Sequence, residues 1–114
     1  MEGMFLVNTW PAKILFDSGA SHSFVSHSFM SRLQLTPDVL AEPLAVATPL
    51  GDSSLLEHVC KDCVVALDDL QFRVDLIVLF MSEFDVILGM DWLSSYHVSI
   101  DCFVKAVTLR LPGQ

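Results

Sequence analysis

The sequence predicts a mostly β fold with two short helices, formed by all 114 residues as a single domain. Most apolar segments have the length of strands, are rich in Val, Ile, Leu and Phe, and are bounded by Pro, Gly, Asp or Asn. Helical spacing of apolar residues is confined to two short stretches. Because no repeat, linker or low-complexity run divides the chain, residues 1–114 are predicted to share one core.

The N-terminal part predicts two strands followed by a helix. The strands cover residues 4–7 and 13–16, with Asn-Thr-Trp-Pro as the turn between them. Four apolar residues then fall at helical spacing: Phe24, Val25, Phe29 and Leu33. Ser21 or Ser23 is the expected N-cap, and the helix should end before Pro37, which disfavours helical geometry in the residue before it.

The rest of the chain predicts strands and one more short helix. Strands are expected at residues 44–47, 59–67, 72–80, 85–88, 98–100 and 107–111. Turns are expected at 48–52, 68–71 and 102–105, and the first has the composition of a hairpin tip. Asp91 is predicted to cap a helix over residues 92–96.

Composition and charge exclude several classes of function. The chain is 53% hydrophobic and only 18% charged, so a small domain should keep apolar surface for an interface or a groove. Self-association is therefore expected. The net charge is −8 and the six basic residues are scattered, which argues against direct nucleic-acid binding. The apolar stretches are too short to span a membrane.

The three cysteines give a weak second signal. Their odd number and non-secretory spacing predict a reducing, intracellular compartment. Cys60 and Cys63 form a C-x-x-C pair, which could be redox-active or half of a zinc site. Structural zinc requires four ligands, so small core or surface cysteines are the favoured interpretation and no metal is predicted.

The remaining polar and aromatic residues predict structural roles. The four histidines lack partner spacing for a catalytic triad, and no Gly-x-Ser-x-Gly elbow is present. Asp85 is predicted to be an edge-strand charge, and Trp92 to lie in the core.

The segment with catalytic character is Ile14-Leu15-Phe16-Asp17-Ser18-Gly19-Ala20. An apolar strand delivers Asp17 into a loop of small residues. Gly19 can bring its N–H close to the carboxylate, and such donors favour an ionised carboxylate. Alone, Asp-Ser-Gly also fits an ordinary turn or helix entry.

A second segment strengthens the catalytic interpretation. Val86-Ile87-Leu88-Gly89-Met90-Asp91-Trp92-Leu93 is an apolar strand, a glycine and a capped helix. Together, the two segments resemble the signature blocks of retropepsin-like aspartic proteases. They are most similar to those of Ty3/gypsy-type LTR retrotransposons, particularly of plants. Retroviral enzymes and DNA-damage-inducible ubiquitin-shuttle proteases are related, and the resemblance covers nearly the whole chain.

The resemblance implies a fold, a mechanism and partners. The fold would be a retropepsin-like closed antiparallel barrel with one lobe per subunit. Since there is a single Asp-Ser-Gly, Asp17 would be the catalytic residue and a homodimer would supply its partner. No cofactor or metal is implied. The substrate would be a polypeptide, the Gag–Pol polyprotein, in the cytoplasm or within virus-like particles.

The resemblance also assigns roles to neighbouring residues. The active-site loop would include Ser18, Gly19 and Ala20, with the Ser18 hydroxyl bonding across the two-fold axis. A flap over the substrate would be formed by Pro49, Leu50, Gly51 and Asp52. The loop would be supported from below by Ile87, Leu88 and Gly89.

The sequence departs from the retroviral pattern at two linked positions. Retroviral enzymes often pair an Asp with an Arg where this chain has Ser21 and Met90. Both partners are replaced together, so the change is coherent. Two alternatives stay open: a catalytically silent or domesticated dimeric binding module, and a protease of the ubiquitin-shuttle type.

Overall fold

The computed structural model describes residues 1–47, 53–95, 98–101 and 106–109. In chain order the elements are β1 Glu2–Val7, β2 Trp10–Phe16, β3 Phe24–Ser26, α1 His27–Arg32, β4 Asp38–Ala47, β5 Ser53–Leu67, β6 Leu70–Leu79, β7 Val86–Leu88, α2 Met90–Ser95, β8 Val98–Asp101 and β9 Ala106–Leu109. The predicted mostly β fold with two short helices is confirmed.

Within the described residues, six strands close into a barrel. They follow the order β1-β2-β7-β3-β6-β5, and β5 returns to pair with β1 through Leu6 opposite Ala66 and Val7 opposite Val65. Closure removes the free edges that an open sheet would expose. Strand β4 extends the sheet beyond β5, and β8 pairs with β9 as a separate ribbon.

Two of the barrel pairings are parallel, whereas the other four are antiparallel. Strand β7 runs parallel to β2, and β3 runs parallel to β6. Both β3 and β7 consist of three buried residues. Such uninterrupted burial is typical of strands covered on both faces, which is the usual setting of parallel pairing.

The two faces of β7 pack into different apolar clusters. Val86 and Leu88 join the larger cluster, which fills the barrel and contains the buried Trp92. Ile87 points the opposite way, into a second cluster with Ala20 and Leu79. This alternation follows from the two-residue period of a strand. The core position predicted for Trp92 is confirmed, since its exposure is 2%.

Helix α1 forms where a helix was predicted but begins later. Phe24 and Val25 belong to β3, and the N-cap is Ser26 instead of Ser21 or Ser23. The Ser26 side chain accepts a hydrogen bond from the Phe29 amide at 3.1 Å. The prediction was wrong because pairing with β6 and β7 buries Phe24 and Val25, and this outweighs their helical spacing. The helix ends at Arg32, before Pro37, as predicted.

Helix α2 begins at Met90, so Asp91 lies in its first turn and does not occupy the predicted cap position. The Gly89 carbonyl accepts the amides of Trp92 and Leu93 at 3.2 and 3.0 Å and so starts the helix. The Asp91 carboxylate instead accepts the Trp92 amide at 2.7 Å.

The turns are shorter than predicted where they are described. Asn8 and Thr9 connect β1 to β2, and their φ values of 48° and 70° reverse the chain before Trp10. Asp68 and Asp69 connect β5 to β6. The predicted turns at 48–52 and 102–105 lie outside the described residues.

No helix in the described part of the chain is long and apolar enough to cross a membrane. Large apolar side chains do reach the surface of the described residues, including Phe80 at 81%, Val39 at 74%, Met4 at 64% and Leu55 at 62%.

Candidate active site

Asp17 follows directly after β2, where the barrel places this strand beside β7. Phe16 lies opposite Leu88 in the parallel ladder, and the Asp17 amide donates to the Leu88 carbonyl at 3.0 Å. The Asp17 carbonyl accepts the Ala20 amide at 3.2 Å, which closes the loop. The backbone of the predicted catalytic residue is therefore fixed by β7.

The carboxylate of Asp17 is held by its own loop. Its Oδ1 accepts the Gly19 amide at 2.8 Å. Asp17 is half-buried, whereas Ser18 and Gly19 are exposed. A Cβ on Gly19 would lie 3.1 Å from Asp17 Oδ1, so the glycine permits close approach of the N–H to the carboxylate.

Residues 17–23 are attached to the start of α2 as well as to β7. The Met90 amide donates to the Ala20 carbonyl at 2.7 Å. Gly89 lies beneath the loop, and a Cβ there would be 2.1 Å from the His22 carbonyl oxygen and 2.7 Å from that of Ala20. Glycine is required at this position because backbone atoms occupy the space of a side chain.

The buried hydroxyl of Ser23 connects the loop to α2. Ser23 is fully buried, and its Oγ accepts the Gly89 amide at 3.0 Å and donates to Asp91 Oδ1 at 2.6 Å. The sequence predicts only helix-capping roles for Ser23 and Asp91. Because 68 residues separate them, no local pattern reveals their contact.

Asp85 has more partners than an edge-strand charge would have. Its Oδ2 accepts the Lys13 amide at 2.8 Å, and its Oδ1 pairs with Arg32 at 3.1 Å. Its backbone accepts the Ser26 amide and donates to the Lys13 carbonyl, both at 2.9 Å. Asp85 thus joins β2, β3, α1 and the start of β7, which corrects its predicted role.

The residues expected to support the loop end β7 and directly precede α2. Ile87, Leu88 and Gly89 are all buried, and Leu88 and Gly89 bond directly to residues of the loop. The predicted flap residues Pro49, Leu50, Gly51 and Asp52 lie outside the described residues. Strands β4 and β5 pair antiparallel up to Ala47 opposite Ser53, on either side of that segment.

Cys60 and Cys63 are core residues, with exposures of 3% and 1%, whereas the sequence left core and surface positions open. Burial raises the pKa of both thiols, and that of Cys63 reaches about 12 because Cys60, Asp75 and Asp62 add to the effect. Such thiols hold their protons and are poor ligands and nucleophiles. In the described part of the chain, no three His, Cys, Asp or Glu side chains cluster as metal ligands.

The small barrel presents Asp-Ser-Gly at the junction of two parallel strands, and a buried Leu-Gly lies beneath it. This combination defines a retropepsin-like aspartic protease domain. The family model described as retroviral aspartyl protease matches residues 1–113. The chain therefore belongs to the retroviral aspartyl protease family.

Solved structures with the same fold come from diverse sources. The retroviral protease-like domain of Ddi1 from Leishmania major has a TM-score of 0.75 and 22% identity, with 96% of this chain and 86% of that one covered. EIAV protease in an inhibitor complex has a TM-score of 0.68 and 17% identity over 89% of this chain and 91% of its own. A retropepsin-like aspartic protease from Rickettsia conorii has a TM-score of 0.65 and 17% identity over 96% of this chain and 81% of its own. No curated protein is a significant match.

Proposed function

We propose that this protein is an aspartic endopeptidase, active as a homodimer in which each subunit contributes Asp17. The observation that carries the proposal is the Asp17 carboxylate, which accepts the Gly19 amide at 2.8 Å in a loop fixed to β7. A carboxylate oriented in this way, in a member of this family, is suited to activating water.

The need for two copies follows from the chemistry. Peptide hydrolysis by carboxylates requires one group to accept a proton from water and another to polarise the scissile carbonyl. The chain has one Asp-Ser-Gly, so the second carboxylate would be that of another subunit. Ser18 and Gly19 are exposed beside Asp17, which leaves this side of the loop accessible to a second copy.

The two Asp17 carboxylates would work as a pair. Two such groups in contact share one proton, as they do in aspartic proteases as a class. The ionised member takes a proton from the water held between them. The protonated member donates a hydrogen bond to the carbonyl oxygen, and a proton then reaches the leaving amine. Each step uses only carboxyl groups and water.

An apolar substrate preference is supported by the surroundings of the loop. Ala20 and Ile87 belong to an apolar cluster that Met81 and Phe84 cover while remaining partly exposed. We infer that the partly exposed Met81 and Phe84 contact an extended peptide with apolar residues at the cleaved bond. A cleavage profile dominated by charged residues would contradict this assignment.

The natural context is proposed from the sequence resemblance. The substrate is the Gag–Pol polyprotein of a Ty3/gypsy-type, plant-like retrotransposon, in the cytoplasm or within virus-like particles. The 114 residues act there as a single protease domain. The flap is assigned to residues 49–52, and Ser18 bonds across the two-fold axis.

The deciding experiment incubates the protein with a peptide library derived from Gag, with and without a statine-type inhibitor. Asp17→Asn should reduce cleavage by at least about a thousandfold while the protein stays folded. Asp69→Asn makes the same chemical change in the exposed β5–β6 turn and should retain activity. Cleavage by Asp17→Asn at the wild-type rate would refute the mechanism. Inert wild-type protein that still dimerises and binds peptide would favour the silent binding module.

Dilution and pH provide two further tests of the paired site. Specific activity should fall steeply on dilution, in step with the dimer fraction in sedimentation, because a monomer holds half a site. Activity should also fall at strongly acid and at alkaline pH, since both states depart from one proton per pair. An undiminished activity in a sample shown to be monomeric would exclude a site shared between subunits.

A further inference from the structure

Ser23 and Asp91 lie apart from the reacting groups, yet their hydrogen bonds reach the segment that carries Asp17. We propose that they form a positioning pair that fixes the Asp17 loop against β7 and α2. The inference rests on the proposed peptidase function for its kinetic consequences and on the geometry alone for its structural ones.

The contacts form one continuous chain of hydrogen bonds. The Gly89 amide donates to Ser23 Oγ at 3.0 Å, and that hydroxyl donates to Asp91 Oδ1 at 2.6 Å. The same Oδ1 accepts the Trp92 amide at 2.7 Å. A hydroxyl has one hydrogen to donate, and that of Ser23 is donated to Asp91. A lone pair of the Ser23 oxygen therefore remains directed towards the Gly89 amide. Asp91 thereby sets the direction of the buried hydroxyl.

Ser23 also connects this hydrogen-bond network to strand β6. Its carbonyl accepts the Ile77 amide of β6 at 3.0 Å, while the residue itself is fully buried. Ser23 is thus held by β6 through its backbone and by the β7–α2 junction through its side chain. Residues 17–23 are therefore anchored by hydrogen bonds at both ends.

The loop between these anchors is short, so a shift at Ser23 is passed to Asp17. Residues 88–90 hold the loop at Asp17, Ala20 and Ser23 with bonds of 3.0, 2.7 and 3.0 Å. Between these anchors, the side chains of Ser21 and His22 form a hydrogen bond with each other, with 2.9 Å between Oγ and Nδ1. Ser21 and Met90 stand where retroviral enzymes often have an ion pair, and these two side chains cannot form one. Ser23 and Asp91 are instead the polar side chains that connect the two segments here.

The kinetic test uses Ser23→Ala. The variant leaves the buried Gly89 amide without its acceptor and should let the loop shift. We expect kcat to fall by about tenfold or more, with KM changed by less than about twofold, because substrate contacts persist while the carboxylate is misplaced. Ser26→Ala is the matched control: Ser26 is also buried, but its hydroxyl caps α1 and has no bond to the loop. Equal loss of kcat in both variants would reduce Ser23 to a general structural role.

The Asp91 variants test the direction of the hydroxyl and remain available if Ser23→Ala does not fold. Asp91→Asn keeps an oxygen that can accept from Ser23 and Trp92, so it should rescue most of the activity that Asp91→Ala loses. The double variant Ser23→Ala with Asp91→Ala should be no slower than the worse single variant, since the two residues act together. Additive losses, or equal loss in the Asn and Ala variants, would overturn the pairing.

An amide NMR spectrum decides the structural claim without reference to catalysis. Ser23→Ala should shift the Gly89 amide and also the Gly19 amide, which reports on the Asp17 carboxylate. Ser26→Ala should leave both in place. If wild-type protein cleaves nothing but these shifts appear, the proposed function fails and the positioning stands. If the Gly19 amide does not respond to Ser23→Ala, the positioning fails whatever the activity.

Discussion

The amide of Asp17 donates to the carbonyl of Leu88 across 3.0 Å, so two residues 71 positions apart fix the candidate catalytic group. This bond continues the parallel ladder of β2 and β7 by one step beyond Phe16. The aspartate therefore extends from a rigid strand pair, and such support is what a reacting group requires.

Gly89→Ala should destabilise the fold. Its Cβ would lie 2.1 Å from the His22 carbonyl oxygen and 2.7 Å from that of Ala20, and backbone cannot move aside easily. We expect unfolding to become easier by about 3 kcal/mol or more, measured by urea denaturation. Gly3→Ala is the control, since the nearest atoms there belong to the Phe5 ring, which can rotate. Equal stability of the two variants would mean that the loop does not rest on Gly89.

Gly19→Ala should affect activity more than stability. Among the described residues beyond its chain neighbours, the added Cβ would approach Asp17 Oδ1, at 3.1 Å. The carboxylate should shift by a fraction of an ångström, and peptidase activity should fall by about tenfold with little change in melting temperature. Full activity in a folded Gly19→Ala protein would show that the carboxylate position tolerates this shift.

Asp85 should contribute more to stability than its ion-pair partner Arg32. The Arg32 side chain is 59% exposed, so Arg32→Ala should cost less than about 1 kcal/mol. Asp85→Ala also removes the acceptor of the Lys13 amide and should cost about 1 kcal/mol more. Urea denaturation at low and high salt measures the stability loss of both variants. Only the smaller contribution, that of the Arg32–Asp85 ion pair, should weaken with salt. Equal losses would mean that the Lys13 contact contributes nothing.

Alkaline pH should destabilise the protein through Cys63. Burial raises the pKa of this thiol from 9.0 to about 12 in the folded state. The protonated Cys63 thiol therefore makes its full contribution to stability below about pH 9. This contribution is lost as pH rises towards about 12, because the thiol loses its proton in the unfolded chain before it does so in the folded protein. Between these values the free energy of unfolding should fall by up to about 1.4 kcal/mol per pH unit.

Cys63→Ala provides the comparison for that prediction. Its unfolding free energy will be lower at neutral pH because a buried side chain is truncated, so the comparison is between slopes. Urea denaturation at about pH 8 and about pH 10.5 should give a shallower decline for Cys63→Ala than for wild type. Parallel declines would show that other groups control alkaline stability.

The fold class and the position of the aspartate could be read from local sequence. Strand-length apolar segments predicted the β fold, and Ile14-Leu15-Phe16 before Asp17 predicted a strand that ends at the reactive group. The block around Gly89 was also identified, because an apolar strand followed by glycine and a helix start is a contiguous pattern. These features depend on neighbours in the chain and so are visible without the structure.

Features that depend on distant partners were misjudged or missed. Phe24 and Val25 have helical spacing with Phe29, but lie in a strand because β6 and β7 flank them. The sequence predicts that Asp91 is a cap because capping is the local role of such a residue, whereas the fold brings it to Ser23. Asp85 is predicted to be an edge-strand charge for the same reason, since its partners Lys13 and Arg32 lie in other segments.

The sequence by itself determined that Asp17 ends an apolar strand and enters a loop of small residues. Tertiary structure alone decided what holds that loop: β7 beside β2, Gly89 beneath it, and the Ser23 hydroxyl directed by Asp91. The physical reason is that strand propensity and turn chemistry act between neighbours in the chain. Hydrogen bonds between segments far apart in sequence exist only once the barrel has closed.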